Sequence, residues 1–163
     1  MIFSHYSKTP VGTLELKMQR SDPHNIKPDR LWVSIDGEDD WSEWCQLNDY
    51  DGCGPYHYRV HLDLHDVLVL DTFQAVRDFD ARWGKRSLGI QLRLGTIDWR
   101  PVADEYTGII IAPYQWELRM DLDLYWYNGW DCASECIWDP AAVIGLEQMP
   151  STTNADNRAR STP

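Results

Sequence analysis

Three side chains with chemical potential lie on three separate predicted strands. His5 is in the middle of "FSHYS", Ser34 ends "LWVS", and Glu135 begins "ECIWD". A histidine exchanges protons near neutral pH, a serine hydroxyl donates and accepts hydrogen bonds, and a carboxylate stabilises developing positive charge. A split β-sheet can bring three such segments together around one cleft, although each residue alone is also a common polar group on a strand.

The sequence lacks the motifs that mark four common enzyme classes. It contains no G-x-G-x-x-G, no G-x-x-x-x-G-K-[ST], no H-E-x-x-H and no G-x-S-x-G. These absences argue against a Rossmann dehydrogenase, a P-loop nucleotidase, a zinc metalloprotease and an α/β-hydrolase. The chemistry expected of this chain therefore lies outside those four classes.

Three histidines, His57, His61 and His65, recur at a spacing of four residues. On a helix this spacing would form a row of metal ligands, assisted by Asp63 or Asp66. The surrounding residues alternate between polar and apolar, however, which predicts a strand. Because a strand rises ~3.3 Å per residue, the three imidazoles are spread over more than ~20 Å. The sequence favours a solvated strand face, and no metal is expected.

The elements that must position these residues alternate between strands and helices without a regular order. Period-two alternation predicts strands at 2–7 and 30–36 and again from residue 56, where Tyr58, Val60, Leu62 and Leu64 share one face. Residues 11–18 read as a short helix or strand, 108–114 as an apolar central strand, 116–130 as a partly alternating segment, and 135–139 as a short strand. The class predicted is α+β.

Helix starts are predicted at acidic residues that can act as N-caps. Asp40 is followed three residues later by Glu43, as in a capping box, and Asp71 is followed by Gln74 in the same way. Asp98 opens a further short helix. A single domain over 1–150 and a flexible polar C-terminal tail at 151–163 complete the expected organisation.

Tryptophan is abundant, with nine residues in a chain of 163. Trp32 lies on the second predicted strand, where it can border a pocket for a flat ring. Trp41 and Trp44 follow the loop "SIDGEDD" at helical spacing, which favours a place in the hydrophobic core over a ligand cage.

The order of these segments resembles the ADP-ribosyltransferase superfamily. That family begins with an H-x-[ST] strand, here "FSHYSK", followed by a strand that ends before an acidic turn, here "LWVSIDGED". A strand and helix follow, here "YRVHLDLHDVLVLDTFQAVRDF", and two further strands match "YTGIII" and "ASECIWDP". The similarity spans roughly 2–144, and it implies a split, mixed or antiparallel sheet with flanking short helices and an NAD-binding pocket.

The resemblance also implies roles for particular residues. His5 would hydrogen-bond the adenosine-side ribose and help to seat the dinucleotide, while Trp32, Ser34 or the nearby Tyr6 would contact the nicotinamide. Glu135 would bind the 2′-hydroxyl of the other ribose and stabilise the oxocarbenium-like transition state, with His5 as its partner in catalysis. Asp131, in "NGWDCAS", is the rival carboxylate and lies among the expected cofactor-binding residues.

Three functions follow as expectations, and the last of them is a structural component of a larger assembly. The first is NAD-dependent transfer of ADP-ribose to a host protein or nucleic-acid acceptor, as toxins or host modifiers of bacterial or phage type do. The second is a non-enzymatic interaction protein that binds a basic partner through its acidic surface. The net charge of −11 argues against strong direct binding of bare nucleic acid, because phosphate contacts need a basic face.

Cysteine spacing and hydropathy predict the cellular compartment of the protein. Cys45, Cys53, Cys132 and Cys136 fit neither a zinc ribbon nor a redox pair, so free thiols are expected. No signal peptide and no apolar run of ~20 residues is evident, so membrane insertion is not expected. A cytoplasmic protein is the resulting prediction.

Overall fold

The part of the chain that the structure describes contains nine strands and three α-helices. The computed structural model describes residues 1–14, 26–37, 39–88 and 93–150, so the predicted tail and the second half of the element predicted at 11–18 lie outside the described residues. In chain order the strands and helices are β1 (Phe3–Ser7), β2 (Leu31–Ile35), α1 (Trp41–Leu47), β3 (Tyr56–Leu62), β4 (Val67–Leu70), α2 (Phe73–Trp83), β5 (Gly84–Leu88), β6 (Arg93–Ile97), α3 (Trp99–Glu105), β7 (Gly108–Ile111), β8 (Ser134–Ile137) and β9 (Val143–Gln148). The chain is an α+β protein, as the sequence predicts.

Seven of these strands form one mixed sheet, in the order β4-β7-β8-β2-β1-β3-β9. β4 and β7 are parallel, and the other neighbouring strands are antiparallel. β7 is buried along its whole length, as expected for a continuous apolar strand. β5 and β6 form a separate two-stranded hairpin.

β1 parts from β2 soon after the two strands begin to pair. Only Phe3 and Ser4 of β1 are in register with β2, opposite Ile35 and Ser34, whereas all five residues of β1 pair with β3. His5 therefore lies at the point where the two strands diverge. This divergence opens the sheet beside His5.

The capping chemistry of the helices agrees with the sequence in two of three cases. The Asp40 side chain accepts from the Glu43 N–H, and Asp98 caps α3. The cap of α2 is Thr72 rather than Asp71, because its hydroxyl accepts from the Ala75 N–H. Within the described ranges, no helix combines the length and the apolar character needed to cross a membrane.

An aromatic cluster fills the core on the side of α2 and α3. The Trp126 ring lies 5.1 Å from Phe79 and 6.0 Å from Trp99, and its Nε1–H donates to the buried Asp80 at 3.0 Å. The segment 116–130, predicted as partly alternating, instead forms three short 3-10 turns that bury Leu118, Leu124 and Tyr127. The turns place Trp126 and Trp130 inside the core. A strand over the same residues would have left the side chains on one of its faces exposed.

Two glycines in strands give a test of the packing between β7 and β8. A Cβ on Gly108 would lie 2.5 Å from Ile137 Cδ1 and 2.9 Å from the Cys136 carbonyl oxygen, whereas one on Gly145 of β9 would meet no atom within 4 Å. We expect Gly108→Ala to lower the free energy of unfolding by about 1–3 kcal/mol through overpacking. Urea denaturation of both alanine variants measures this, and Gly145→Ala should be nearly neutral. Equal losses in both variants would contradict the register of β7 against β8.

Candidate functional site

A cavity of about 240 Å³, the first cavity, opens where β1 diverges from β2. Its walls come from β1, β2, the start of α1 and the segment that precedes β8. The lining residues are Ser4, His5, Tyr6, Lys27, Trp32, Val33, Ser34, Trp41, Gly52, Asp131, Cys132 and Ser134. All five residues expected to bind a cofactor, namely His5, Tyr6, Trp32, Ser34 and Asp131, are among them.

His5 bridges the gap between the diverging strands. Its Nδ1 lies 2.8 Å from the Trp32 carbonyl oxygen. Because a carbonyl oxygen only accepts hydrogen bonds, Nδ1 carries the proton, and Nε2 of the neutral ring is an acceptor. The bond fixes the tautomer and leaves an acceptor for a ligand hydroxyl.

Trp32 forms an apolar wall of the first cavity and packs against the core. Its ring contacts Trp130 edge-on, with 4.6 Å between centroids, and the Lys27 ammonium lies 5.2 Å from the Trp32 ring centroid. Trp130 is fully buried, so Trp32 packs against a rigid part of the core. The tryptophan is thus positioned as the sequence predicts, at the edge of a pocket.

Ser34 connects β2 to the first turn of α1. Its Oγ accepts a hydrogen bond of 3.0 Å from the Trp41 N–H. A hydroxyl that accepts one bond can still donate another, so Ser34 retains a donor for a ligand. The loop between these residues is fixed by a bond of 2.8 Å from the Ala133 N–H to the Asp39 carbonyl oxygen, and Asp39 has a φ of 62°.

Asp131 is the carboxylate on the cavity wall. Its two oxygens lie 3.1 Å from Lys27 Nζ and 3.3 Å from Arg119 Nη2. Two cations on opposite oxygens fix the carboxylate in place and offset part of its negative charge. The acidic residue is therefore positioned by charge rather than by the backbone alone.

Glu135 does not line the first cavity. It lies opposite Val33 of β2 and Ile110 of β7, and its side chain is fully buried among apolar groups with no hydrogen-bond partner for either oxygen. The neighbouring Ser134 lines the cavity, and side chains alternate along a strand, so Glu135 points to the other face of the sheet. Burial raises the pKa of its carboxyl to about 8, so Glu135 is mostly protonated at neutral pH.

A polar network that the sequence analysis missed lies beside His5. The buried Ser4 hydroxyl donates to Asp36 at 2.8 Å, and His57 Nε2 lies 2.9 Å from Ser4 Oγ. The His57 ring stacks on Tyr6 with centroids 4.6 Å apart, and burial lowers the pKa of His57 below its ordinary value. This network fixes Tyr6, and the alternation of β1, which pairs Ser4 with Tyr6 on one face, was the signal for it.

The three evenly spaced histidines have three different neighbours. His57 bonds to Ser4, His61 lies 3.8 Å from Glu147, and His65 lies 3.0 Å from Asp66. Their partners are on separate elements, as expected for residues distributed along and beyond a strand. No group of ligands suited to a metal ion occurs among the residues that the structure describes.

Trp41 and Trp44 are not part of the core, contrary to the interpretation from their spacing. Their rings stack on each other at 5.0 Å, and Tyr50 contacts both edge-on. Trp41 lines the first cavity, whereas Trp44 lines a second cavity of about 270 Å³. Cys45 is the residue of α1 that is buried.

A third cavity, of about 410 Å³, lies on the other side of His5. Its apolar walls include Leu31, Ile137 and Val143. His5 lines both the first and the third cavity, so the two spaces are neighbours at this residue.

The cysteine in the first cavity does not supply a nucleophile. Burial raises the pKa of the Cys132 thiol to about 12. A thiol with this pKa is protonated at neutral pH, and the reactive form of cysteine is the thiolate. The four cysteines are free thiols, as the sequence predicts.

The buried Glu135 carboxyl predicts an unusual dependence of stability on pH. Its pKa is about 8 in the folded chain against an ordinary 4.5. Between these values the unfolded chain releases the proton while the folded chain keeps it, so the free energy of unfolding falls as the pH rises. Glu135→Gln removes this titration, and we expect its stability relative to wild type to increase by several kcal/mol, on the order of the pKa difference, from pH 4.5 to 8.

Chemical denaturation at a series of pH values measures this difference. Glu117→Gln is the matched control, because Glu117 is exposed on a short turn and its substitution removes the same charge. A gap between Glu135→Gln and wild type that stays constant across the pH range would show that the Glu135 carboxyl is not protonated in the folded chain.

No protein-family model, no curated protein and no solved structure matches the chain.

Proposed function

We propose that this protein is an NAD-dependent ADP-ribosyltransferase that binds NAD in the first cavity and transfers ADP-ribose to a protein or nucleic-acid acceptor. The observation that carries the proposal is the convergence of His5, Tyr6, Trp32, Ser34 and Asp131 on one cavity from three separate segments. The split sheet of the ADP-ribosyltransferases is proposed with it, supported by the early divergence of β1 from β2.

The hydrogen-bonding groups of the first cavity suit a ribose and an amide-bearing ring. His5 Nε2 accepts from a ribose hydroxyl, since Nδ1 is committed to the Trp32 carbonyl. The Ser34 hydroxyl donates to a carboxamide oxygen while it accepts from the Trp41 N–H. Trp32 supplies a flat apolar wall for the nicotinamide.

The size of the cavities supports a divided binding site. The first cavity, at about 240 Å³, is smaller than the ~300–1,000 Å³ that is typical for whole small-molecule ligands. It suits the nicotinamide and its ribose, and the third cavity, at about 410 Å³, offers room for the adenosine part beyond His5. His5 would then contact the dinucleotide at its middle.

The carboxylate that the geometry favours is Asp131. When bound, NAD supplies an ADP-ribosyl group whose bond to nicotinamide breaks readily, because nicotinamide is already a leaving group. The chain therefore has to position the ribose and stabilise positive charge, which a fixed carboxylate does. Asp131 lines the cavity, whereas Glu135 is buried on the other face of the sheet.

One observation favours the non-enzymatic alternative. The carboxylate at the family's catalytic position, Glu135, is buried away from the cavity. A chain that kept the cleft and lost the catalytic carboxylate would act by binding, and the net charge of −11 suits a basic partner. The two functions differ in one measurable product, which is free nicotinamide.

Calorimetry with NAD and an assay for released nicotinamide test the enzymatic proposal. We expect His5→Ala to weaken NAD binding by about tenfold, since one hydrogen bond contributes about 0.5–1.5 kcal/mol. We expect Asp131→Asn to slow nicotinamide release by about 100-fold with a smaller effect on binding, because charge stabilisation acts in the transition state.

His65→Ala is the matched control, because its imidazole is 83% exposed and pairs with Asp66 far along the chain from the cavity. No heat of NAD binding and no nicotinamide released by the wild type would overturn the enzymatic proposal. NAD binding without nicotinamide release would favour a binding protein. A loss of release in Glu135→Gln alone would transfer the catalytic role from Asp131 to Glu135.

A further inference from the structure

The second cavity is an open groove with exposed apolar side chains. Leu47 of α1 is 79% exposed, and Trp116 is 50% exposed. Both line this groove together with Trp44, although they belong to segments far apart in the chain. Covering an exposed apolar side chain with a partner is energetically favourable. Two such side chains in one groove form an apolar patch of the kind found at interaction sites.

The charge around this groove is strongly one-sided. Among the described residues, four carboxylates line it, from Asp39, Asp40, Glu43 and Asp131, and Arg119 is the cation. Lys27 also pairs with Asp131, so the uncompensated negative charge comes from Asp39, Asp40 and Glu43. Arg119 is already paired with Asp131 at 3.3 Å. The groove therefore repels phosphate groups and attracts ammonium and guanidinium groups.

The groove is next to the first cavity. Asp131 and Cys132 line both spaces, and the stacked rings of Trp41 and Trp44 stand between them. A molecule docked in the groove thus reaches the wall that carries the carboxylate. An occupant of the groove therefore lies beside the first cavity.

We propose that the groove binds a basic protein segment, in which lysine or arginine residues flank an apolar side chain that packs on Leu47 and Trp116. The proposal rests on the proposed function and narrows its acceptor to a protein with such a segment. Apolar contacts with Trp116 anchor the segment, and the carboxylates select its charge.

The test uses a short fluorescein-labelled peptide in which arginine and lysine flank leucine, with binding followed by fluorescence anisotropy in the absence of NAD. We expect Leu47→Ser and Trp116→Ala each to weaken binding by about tenfold, and Ile144→Ser, an exposed apolar residue on β9, to leave it unchanged. Replacing the leucines of the peptide by serine should weaken binding as well. Thermal unfolding of each variant checks that the fold is kept.

The outcomes separate this proposal from the enzymatic one, because the peptide is measured without NAD. Peptide binding that needs Leu47 and Trp116 supports the groove whether or not NAD binds. No binding of the peptide, or binding that is insensitive to both substitutions, overturns the proposal. Stronger binding of a single-stranded oligonucleotide than of the peptide also overturns it and favours a nucleic-acid acceptor.

Discussion

Every contact assigned to the first cavity depends on how soon β1 parts from β2. Had the two strands remained paired along β1, the backbone groups beyond Ser4 would have bonded to each other, and no space would exist between them. Their divergence leaves the Trp32 carbonyl without its ladder partner, and His5 satisfies it at 2.8 Å. The imidazole thus closes a gap in the sheet and at the same time gains a fixed orientation. The bond between His5 and the Trp32 carbonyl therefore stabilises the sheet and also orients the imidazole for its proposed contact with a ribose.

The two carboxyl groups considered for catalysis, those of Asp131 and Glu135, lie in opposite environments. Asp131 lies at the wall of the cavity, where it forms ion pairs with Lys27 and Arg119. Glu135 lies four residues later in the sequence but in the apolar interior, where the neutral form is favoured. An unpartnered carboxyl in a core is costly, and in proteins such groups are concentrated at functional sites. For this reason Glu135 is a candidate functional group even though it does not line the first cavity.

The sequence predicted elements well where local rules decide them. Alternation identified β1 and β3, a continuous apolar run identified β7, and the side chain of Asp40 caps α1 as expected. Local rules did not decide between Asp71 and Thr72 as a cap, because both side chains can accept the same bond. The 3-10 turns at 116–130 were hidden, because the same partial alternation also suits a strand.

The site was less predictable, because tertiary contacts decide which face of an element is covered. Helical spacing placed Trp41 and Trp44 on one side of α1 but did not reveal that this side faces two cavities rather than the core. Alternation along β8 likewise shows that Glu135 and Ser134 lie on opposite faces of the sheet. Both faces of β8 are buried, so alternation does not show which face borders the cavity. Asp131 is held by Arg119 from the preceding turns and by Lys27 from a distant part of the chain, a pairing that no local pattern reveals.

The stacked pair of Trp41 and Trp44 is a wall that two neighbouring spaces share. A ligand on one side acts on one indole, and the other indole forms part of the surface on the opposite side. In the two proposals, the occupants of the groove and of the first cavity therefore contact the same pair of stacked rings. Thermodynamic reciprocity then requires that whatever an occupant of the groove does to affinity in the first cavity, an occupant of that cavity does equally to affinity in the groove.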